Sequence, residues 1–345
     1  MKGRAWFVTK LTVRSKLLNN ITRLVVKVGT GVLTDSRKQP DLAQMEQLVA
    51  QIAAQRKAGR EIILVSSGAV GAGMGALGFQ SRPSELADLQ ACAAVGQSRL
   101  MATYDKLFGA HGIAVAQILL THDDLEHHER HLNARNTLVS LLRRGVVPII
   151  NENDVVSFTE LKFGDNDKLS ALVASLLPAD LLIILTTVEG VFENFGKANA
   201  RTLSVIERIS EGVEKLAGGT TSATAVGGMS SKVQAAKIAV RSGIPLVIAS
   251  GRKKNVLSRV LEGLEEGTLF VDDGAKKALR ENGKSLLPPG IARSEGEFDA
   301  GEVVCICDLN GTEFARGIAG FGAAEIAAKQ LKRVEVVHRD NLVVL

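Results

Sequence analysis

The sequence predicts an α/β protein: a three-layer αβα sandwich on a mainly parallel central sheet, followed by a small, mostly β domain. Three observations carry that prediction. From residue 23 onward, short runs rich in β-branched residues alternate with long helical stretches. Those runs are apolar on both faces, as parallel strands covered by helices are. Near Leu269 the texture changes to several short strands with little helix.

The elements follow in order. LVVKV (24–28) reads as the first strand. Asp41 can cap a helix whose apolar residues Leu42, Met45, Leu48, Val49 and Ile52 keep helical spacing, and Gly59 ends it. EIILVSS (61–67) is the next strand, and Ser84 opens a long helical region to about Gly109. IAVAQILL (113–120), VVPIIN (146–151), LLIILT (181–186) and PLVIAS (245–250) are further strands. The tail holds one helix signal at 274–282, then strands in GEVVCICD (301–308), EFARGIA (313–319) and VEVVH (334–338). The expected domains are a basic extension without fixed structure over 1–20, the α/β domain over 21–268 and the β domain over 269–345.

Composition narrows the function. The 345 residues are 46% hydrophobic and 23% charged, ordinary for a globular protein. No apolar run approaches the ~18 residues of a membrane span; Ala171–Leu185 is broken by Pro178 and Asp180. The net charge of +5 resides in the first 20 residues, through Lys2, Arg4, Lys10, Arg14 and Lys16. It is an arm and not a basic face, and with 11 Phe, 1 Trp and 1 Tyr a base-stacking platform is poorly supplied. Nucleic acid is therefore not the expected partner. Cys92, Cys305 and Cys307 cannot make a disulfide framework and lack further ligands for zinc, so they read as reduced packing residues of a cytoplasmic protein. The arm has no secretory signal pattern.

Ligands of open α/β sheets sit at the carboxyl ends of strands. Lys27-Val-Gly29-Thr30-Gly31 follows the first strand, and Ser66-Ser67-Gly68 the second. Asn151-Glu152-Asn153-Asp154 follows the 146–151 strand; Gly164-Asp165-Asn166-Asp167 comes soon after. Gly227-Gly228-Met229-Ser230-Ser231-Lys232 opens another helix. Two lysines in Gly-rich turns with several Asp and Asn side chains suit phosphoryl transfer, where positioning and charge neutralisation dominate. Lys27 is costly within an apolar strand unless it meets an anion, either a bound one or Asp167. No GxxxxGK[ST] is present, and Gly73-x-Gly75-x-x-Gly78 starts too far past its strand for a dinucleotide loop. His122, His127, His128 and His131 read as a solvated helix face, and no metal site is expected.

VVKVGTGVL, VSSGAVGAG, AVGQSRL, LNARNTL, VVPIINENDVV, FGDNDKLSALVA, GGMSSKVQAA and SLLPPGI occur in that order. Together they closely resemble the bacterial glutamate 5-kinases, a group within the amino acid kinase family, from about Leu24 to the C-terminus. The resemblance implies ATP- and Mg²⁺-dependent phosphorylation of the γ-carboxylate of L-glutamate, the first step of proline biosynthesis. It implies Lys27, Asp167 and Lys232 as catalytic. It assigns ATP to Lys27, Thr186, Thr187 and the segment Val226, Gly227, Gly228, Met229, Ser230, Ser231, Lys232. Substrate falls to Ser67, Gly68, Asn151, Asp154, Asp165 and Asn166. It further implies a homo-oligomer, proline as feedback inhibitor and glutamyl phosphate reductase as the next enzyme.

Three departures stand out. Thr187 replaces the family's usual Asp, the linker between GTLF (267–270) and VDDGAKKAL is short, and the PUA-like tail is shortened between Ala319 and Val334. PUA domains elsewhere bind RNA. From Leu269 onward this tail carries 10 basic and 12 acidic residues, which favours a structural appendage over an RNA site. Kinases of acetylglutamate, uridylate or carbamate are the alternatives within the family. An RNA-binding protein acting through the tail is the alternative outside it.

Overall fold

The computed structural model describes residues 13–18, 20–35, 40–157, 165–194, 199–218, 228–271, 298–307, 313–327, 336 and 342–344. The chain divides into two compact units, Met1–Val271 and Asp272–Leu345.

The first unit is built on an eight-stranded sheet. Its first five strands are β1 (Arg23–Val28), β2 (Glu61–Val65), β3 (Val115–Leu120), β4 (Val147–Glu152) and β5 (Leu181–Thr186). A separate two-stranded ribbon, β6 (Phe192–Glu193) with β7 (Arg201–Thr202), follows; β8 (Val205–Ile206), β9 (Leu246–Ser250) and β10 (Thr268–Phe270) complete the sheet. The spatial order is β3-β4-β2-β1-β5-β9-β10-β8. All pairings are parallel except β9 with β10. β1 stands where the winding reverses, with β2 on one side and β5 on the other, and such a reversal opens a crevice at the carboxyl ends of the strands.

Alternation along β1 sorts its side chains into two cores. Leu24, Val26 and Val28 join one apolar cluster and Val25 the other, which puts Lys27 on the face of Val25. Helices α3 (Leu42–Lys57), α5 (Leu86–Gly109) and α11 (Val256–Leu261) cover the first face. Helices α7 (His128–Arg143), α8 (Asp165–Leu176) and α10 (Met229–Arg241) cover the second. Asp41 caps α3 as its sequence predicts, accepting the Gln44 amide at 3.0 Å. α5 begins at Leu86, after Glu85, and not at Ser84.

Two boundaries differ from expectation. Leu269 and Phe270 are fully buried strand residues of the large sheet, because β10 needs them to pair with β9. The basic arm is also not wholly unstructured: Val13–Leu18 forms a helix, α1. Its Arg14 is 1% exposed, and the guanidinium donates to the carbonyls of Leu264 (2.6 Å), Glu266 (2.9 Å) and Gly267 (3.0 Å), the turn that leads into β10. Burial lowers the pKa of this guanidinium, while Glu265 and Glu266 oppose the shift. Leu18 is buried beside it. A run that reads as a floating charge is a pin, since a carbonyl-lined turn holds a cation as well as a carboxylate does.

In the second unit β11 (Val303–Cys307), β12 (Glu313–Ile318) and β13 (Leu342–Val344) form an antiparallel sheet. The helix expected at 274–282 lies outside the described residues, as does the strand at 334–338 apart from Val336. No helix among the described residues is long and apolar enough to cross a membrane.

Arg14→Ala strands three carbonyls in a closed turn. It is expected to lower unfolding free energy by about 2–4 kcal/mol, read as a drop in melting temperature of several degrees; an unchanged melt would show that the pin carries no load.

Candidate active site

Four strand ends and two helix starts meet in the crevice. Lys27, near the end of β1, reaches Asp167 in the first turn of α8, Nζ to Oδ1 at 2.6 Å. Lys232, in the first turn of α10, reaches the other oxygen, Nζ to Oδ2 at 3.1 Å. Asp167 is fully buried, and the lysines are 5% and 3% exposed. α10 starts at Gly228, whose carbonyl lies 2.8 Å from Ser231 Oγ. That hydroxyl is also 2.7 Å from Asp167 Oδ2.

The cluster holds two cations and one anion in a nearly dry place. Burial alone would raise the Asp167 pKa, but the charges of Lys27 and Lys232 and the hydrogen bonds from Lys27 and Ser231 outweigh it and lower it. The Lys232 pKa is lowered, by burial first and by Lys27 as well; Asp167 resists the shift. Among the described residues these two cations share the one carboxylate, and charges buried so deeply cost several kcal/mol unless they are paired. Lys27 does meet an anion, as a lysine in an apolar strand must, and among the described residues that anion is Asp167.

The neighbouring half of the crevice is made of amides and hydroxyls. β2 and β4 run side by side, and Ser67 and Asn151 lie at their ends. Asn166, next to Asp167 on α8, donates from Nδ2 to Ser67 Oγ (3.1 Å) and to Asn151 Oδ1 (2.9 Å). The Glu152 amide donates to Asn151 Oδ1 (3.0 Å) and Asn166 Oδ1 (3.2 Å). Asn151 Nδ2 donates to Gln97 Oε1 of α5 at 2.9 Å. Gly68 follows Ser67 at φ +103°, a left-handed turn into α4 (Ala69–Met74) that residues with a Cβ rarely make. Asp154 is half-buried and opposes the lowering of the Arg82 pKa that burial causes, so the two charges face one another at the rim.

Thus the structure brings together Lys27, Asp167, Lys232, Ser231, Ser67, Asn151 and Asn166. Thr186 ends β5, and its carbonyl accepts the Gly251 amide at 2.9 Å. Thr187 is exposed, and a Cβ on Gly31 would come within 2.9 Å of its methyl group, so Thr187 packs over that turn. Gly228, Met229 and Ser230 start α10. Val226, Gly227 and the side chain of Asp165 lie outside the described residues.

Sequence reasoning missed four contributors. Arg252 donates to the carbonyls of Gly31 (2.9 Å) and Thr34 (2.6 Å), and it braces the turn after β1. Tyr104 holds Ser66, Oη to Oγ at 2.9 Å. Gln97 shares the buried stripe Ala93, Leu100, Tyr104 of α5, and a polar residue in such a stripe is the signal that could have found it. His122, read as solvated, approaches the buried Glu152 carboxylate, Nδ1 to Oε2 at 3.5 Å. No group of three His, Cys, Asp or Glu that could hold a metal ion occurs among the described residues.

Comparison with known proteins bears on the family and the fold. Residues 22–250 match the model of the amino acid kinase family, and residues 267–339 match the PUA domain. The chain is 43% identical to the glutamate 5-kinase of Geobacter sulfurreducens, over 96% of this chain and 100% of that protein. It is 45% identical to the glutamate 5-kinase of Syntrophotalea carbinolica, again over 96% and 100%. Carbamate kinase from Giardia lamblia bound to AMP-PNP shares the fold at a TM-score of 0.54, with 21% identity over 74% of this chain and 100% of that one. UMP kinase from Bacillus anthracis does so at 0.51, with 16% identity over 74% and 97%.

Asp167→Asn leaves two buried ammonium groups without their carboxylate. A loss of about 3–5 kcal/mol at neutral pH is expected. Because the native Asp167 pKa is depressed, its contribution exists above the ordinary carboxylate range and fades as pH falls through the native value. Denaturant titrations should therefore show the gap between parent and variant closing in acid; a gap independent of pH would refute the charge account.

Proposed function

The chain belongs to the amino acid kinase family, and from that premise we propose that it transfers the γ-phosphoryl group of ATP to the γ-carboxylate of L-glutamate, forming L-glutamyl 5-phosphate and ADP. This is the first step of proline biosynthesis. The observation that carries the reading is the pair of ammonium groups of Lys27 and Lys232 brought together on Asp167, beside a polar pocket of hydroxyl and amide groups.

The chemistry needs little more. A carboxylate oxygen attacks the γ-phosphorus, the bond to the ADP oxygen breaks, and no proton has to move. The obstacle is repulsion between two anions, which fixed cations and in-line placement remove. Lys232 and the amides from Gly228 onward take the nucleotide phosphates, with Thr186 and Thr187 at the end of β5 beside the nucleotide. Lys27 spans the transferring group, and Asp167 keeps both ammonium groups aimed at it. Ser67, Gly68, Asn151 and Asn166 receive the amino acid, and Asp154 and Asp165 take its ammonium end. Mg²⁺ enters as the chelate of ATP. Mg²⁺ keeps phosphate and water as its main ligands.

The product is an acyl phosphate, an activated carboxyl group that a reductase acting next would consume. ATP supply and the free, buried thiol of Cys92 suit a cytoplasmic enzyme. The test is release of ADP, and of hydroxamate from trapped acyl phosphate, with MgATP and glutamate, in parallel with acetylglutamate, carbamate and UMP, and with and without proline. Turnover with another acceptor alone would overturn the reading.

Lys27→Ala and Lys232→Ala are each expected to cut kcat by about two to four orders of magnitude with the fold intact, and near-parental turnover in either would remove it from the mechanism. Asp154→Ala should act mainly on the KM for glutamate; an unchanged KM would exclude that contact.

A further inference from the structure

Gln97 belongs to none of the motif positions assigned to substrate, yet its side chain closes the hydrogen-bond chain that runs through three of them. The chain's direction can be derived. The Glu152 backbone N–H can only donate, and it faces one end of Asn151 (3.0 Å) and one end of Asn166 (3.2 Å). Both ends must be oxygens. The amide nitrogen of Asn166 then faces Asn151 Oδ1 and Ser67 Oγ, and the amide nitrogen of Asn151 faces α5. An acceptor is required there, and Gln97 supplies it with Oε1 at 2.9 Å. The Ser67 hydroxyl, already accepting from Asn166, keeps its own hydrogen to donate, which is the polarity a carboxylate needs.

Gln97 bears a cost for this. It is 8% exposed, and its Nε2 has no hydrogen-bond partner among the described residues. Turning the amide to relieve Nε2 would set two NH₂ groups face to face against Asn151. The side chain thus satisfies Asn151 at the expense of its own donor, and a buried polar group left so needs a functional reason. Its location suits the role. Ile149 and Asn151 share the face of β4 that meets the α5 side of the sheet, so a residue on α5 can grip the end of β4 from behind the crevice.

We propose that Gln97 is a positioning residue for the acceptor pocket: its carbonyl oxygen locks Asn151, and through Asn151 and Asn166 it fixes Ser67 as a donor to the substrate carboxylate. The proposal rests on the functional reading above. It places specificity for an anionic acceptor partly on a helix that touches no ligand.

The experiment measures both KM values, kcat and melting temperature for the parent, Gln97→Met, Gln97→Glu, Ser67→Ala and the Gln97→Met/Ser67→Ala double variant. Gln97→Met should raise the KM for glutamate about ten- to a hundred-fold and leave the KM for ATP within about two-fold. Gln97→Glu retains an acceptor oxygen for Asn151 and should recover most of the loss. The double variant should be little worse than Ser67→Ala, because the two act in one chain. Equal rises in both KM values, an unchanged glutamate KM in Gln97→Met, a Glu variant worse than the Met variant, or additive losses would each overturn the proposal. Should Gln97→Met fail to fold, the Glu variant decides: recovery near parental supports the proposal, and a large rise in its glutamate KM overturns it. A parent without glutamate-dependent turnover would instead overturn the functional reading itself.

Discussion

Everything in the catalytic unit is arranged around one carboxylate that cannot leave. Asp167 is completely enclosed, and its two oxygens fix two ammonium groups that arrive from residues 27 and 232. A lone carboxylate there would protonate, and a lone lysine would lose its proton or pull in water. Together the two lysines brace the carboxylate, and gathering three charged side chains in so dry a place makes the site expensive for the fold. The sheet provides the stiffness this requires: Lys27 sits in register between Val65 of β2 and Ile184 of β5, so its backbone has no freedom to retreat.

Part of the candidate site was legible in the sequence because it violates the local pattern. Lys27 interrupts an apolar strand, and glycines crowd the turns after β1 and β2. Strand positions were legible too, since short runs apolar on both faces have few other uses. What could not be read was partnership between elements. Ser231 belongs to a Gly-rich motif that looks made for phosphate, yet from the first turn of α10 its hydroxyl reaches Asp167. Arg14 looks like part of a loose basic arm, but the turn before β10 converts it into a buried pin. His122 belongs to a polar stretch, and only the fold brings it against Glu152. In each case the deciding neighbour lies far away in sequence, where neither periodicity nor charge counting can see it.

Thr187 makes a packing contact. Its methyl group occupies space beside Gly31, and Arg252 braces the same turn after β1 by donating to the carbonyls of Gly31 and Thr34.

The division of labour between donor and acceptor then comes down to two consecutive residues. Successive side chains on a helix diverge by about 100°. At the start of α8, Asp167 therefore turns toward the lysines, while Asn166 turns toward Ser67 and Asn151. The charged cluster and the amide pocket are thus fixed by the two sides of a single helical turn, and their separation is set by covalent geometry and not by loops. α8 keeps that setting because Leu169, Ala171, Val173 and Ala174 are buried in the apolar layer beneath it. A substitution that rotated this helix by even a fraction of a turn would disturb the charged cluster and the amide pocket together, whereas α5 grips the amide pocket through Gln97 on Asn151 and the end of β2 through Tyr104 on Ser66.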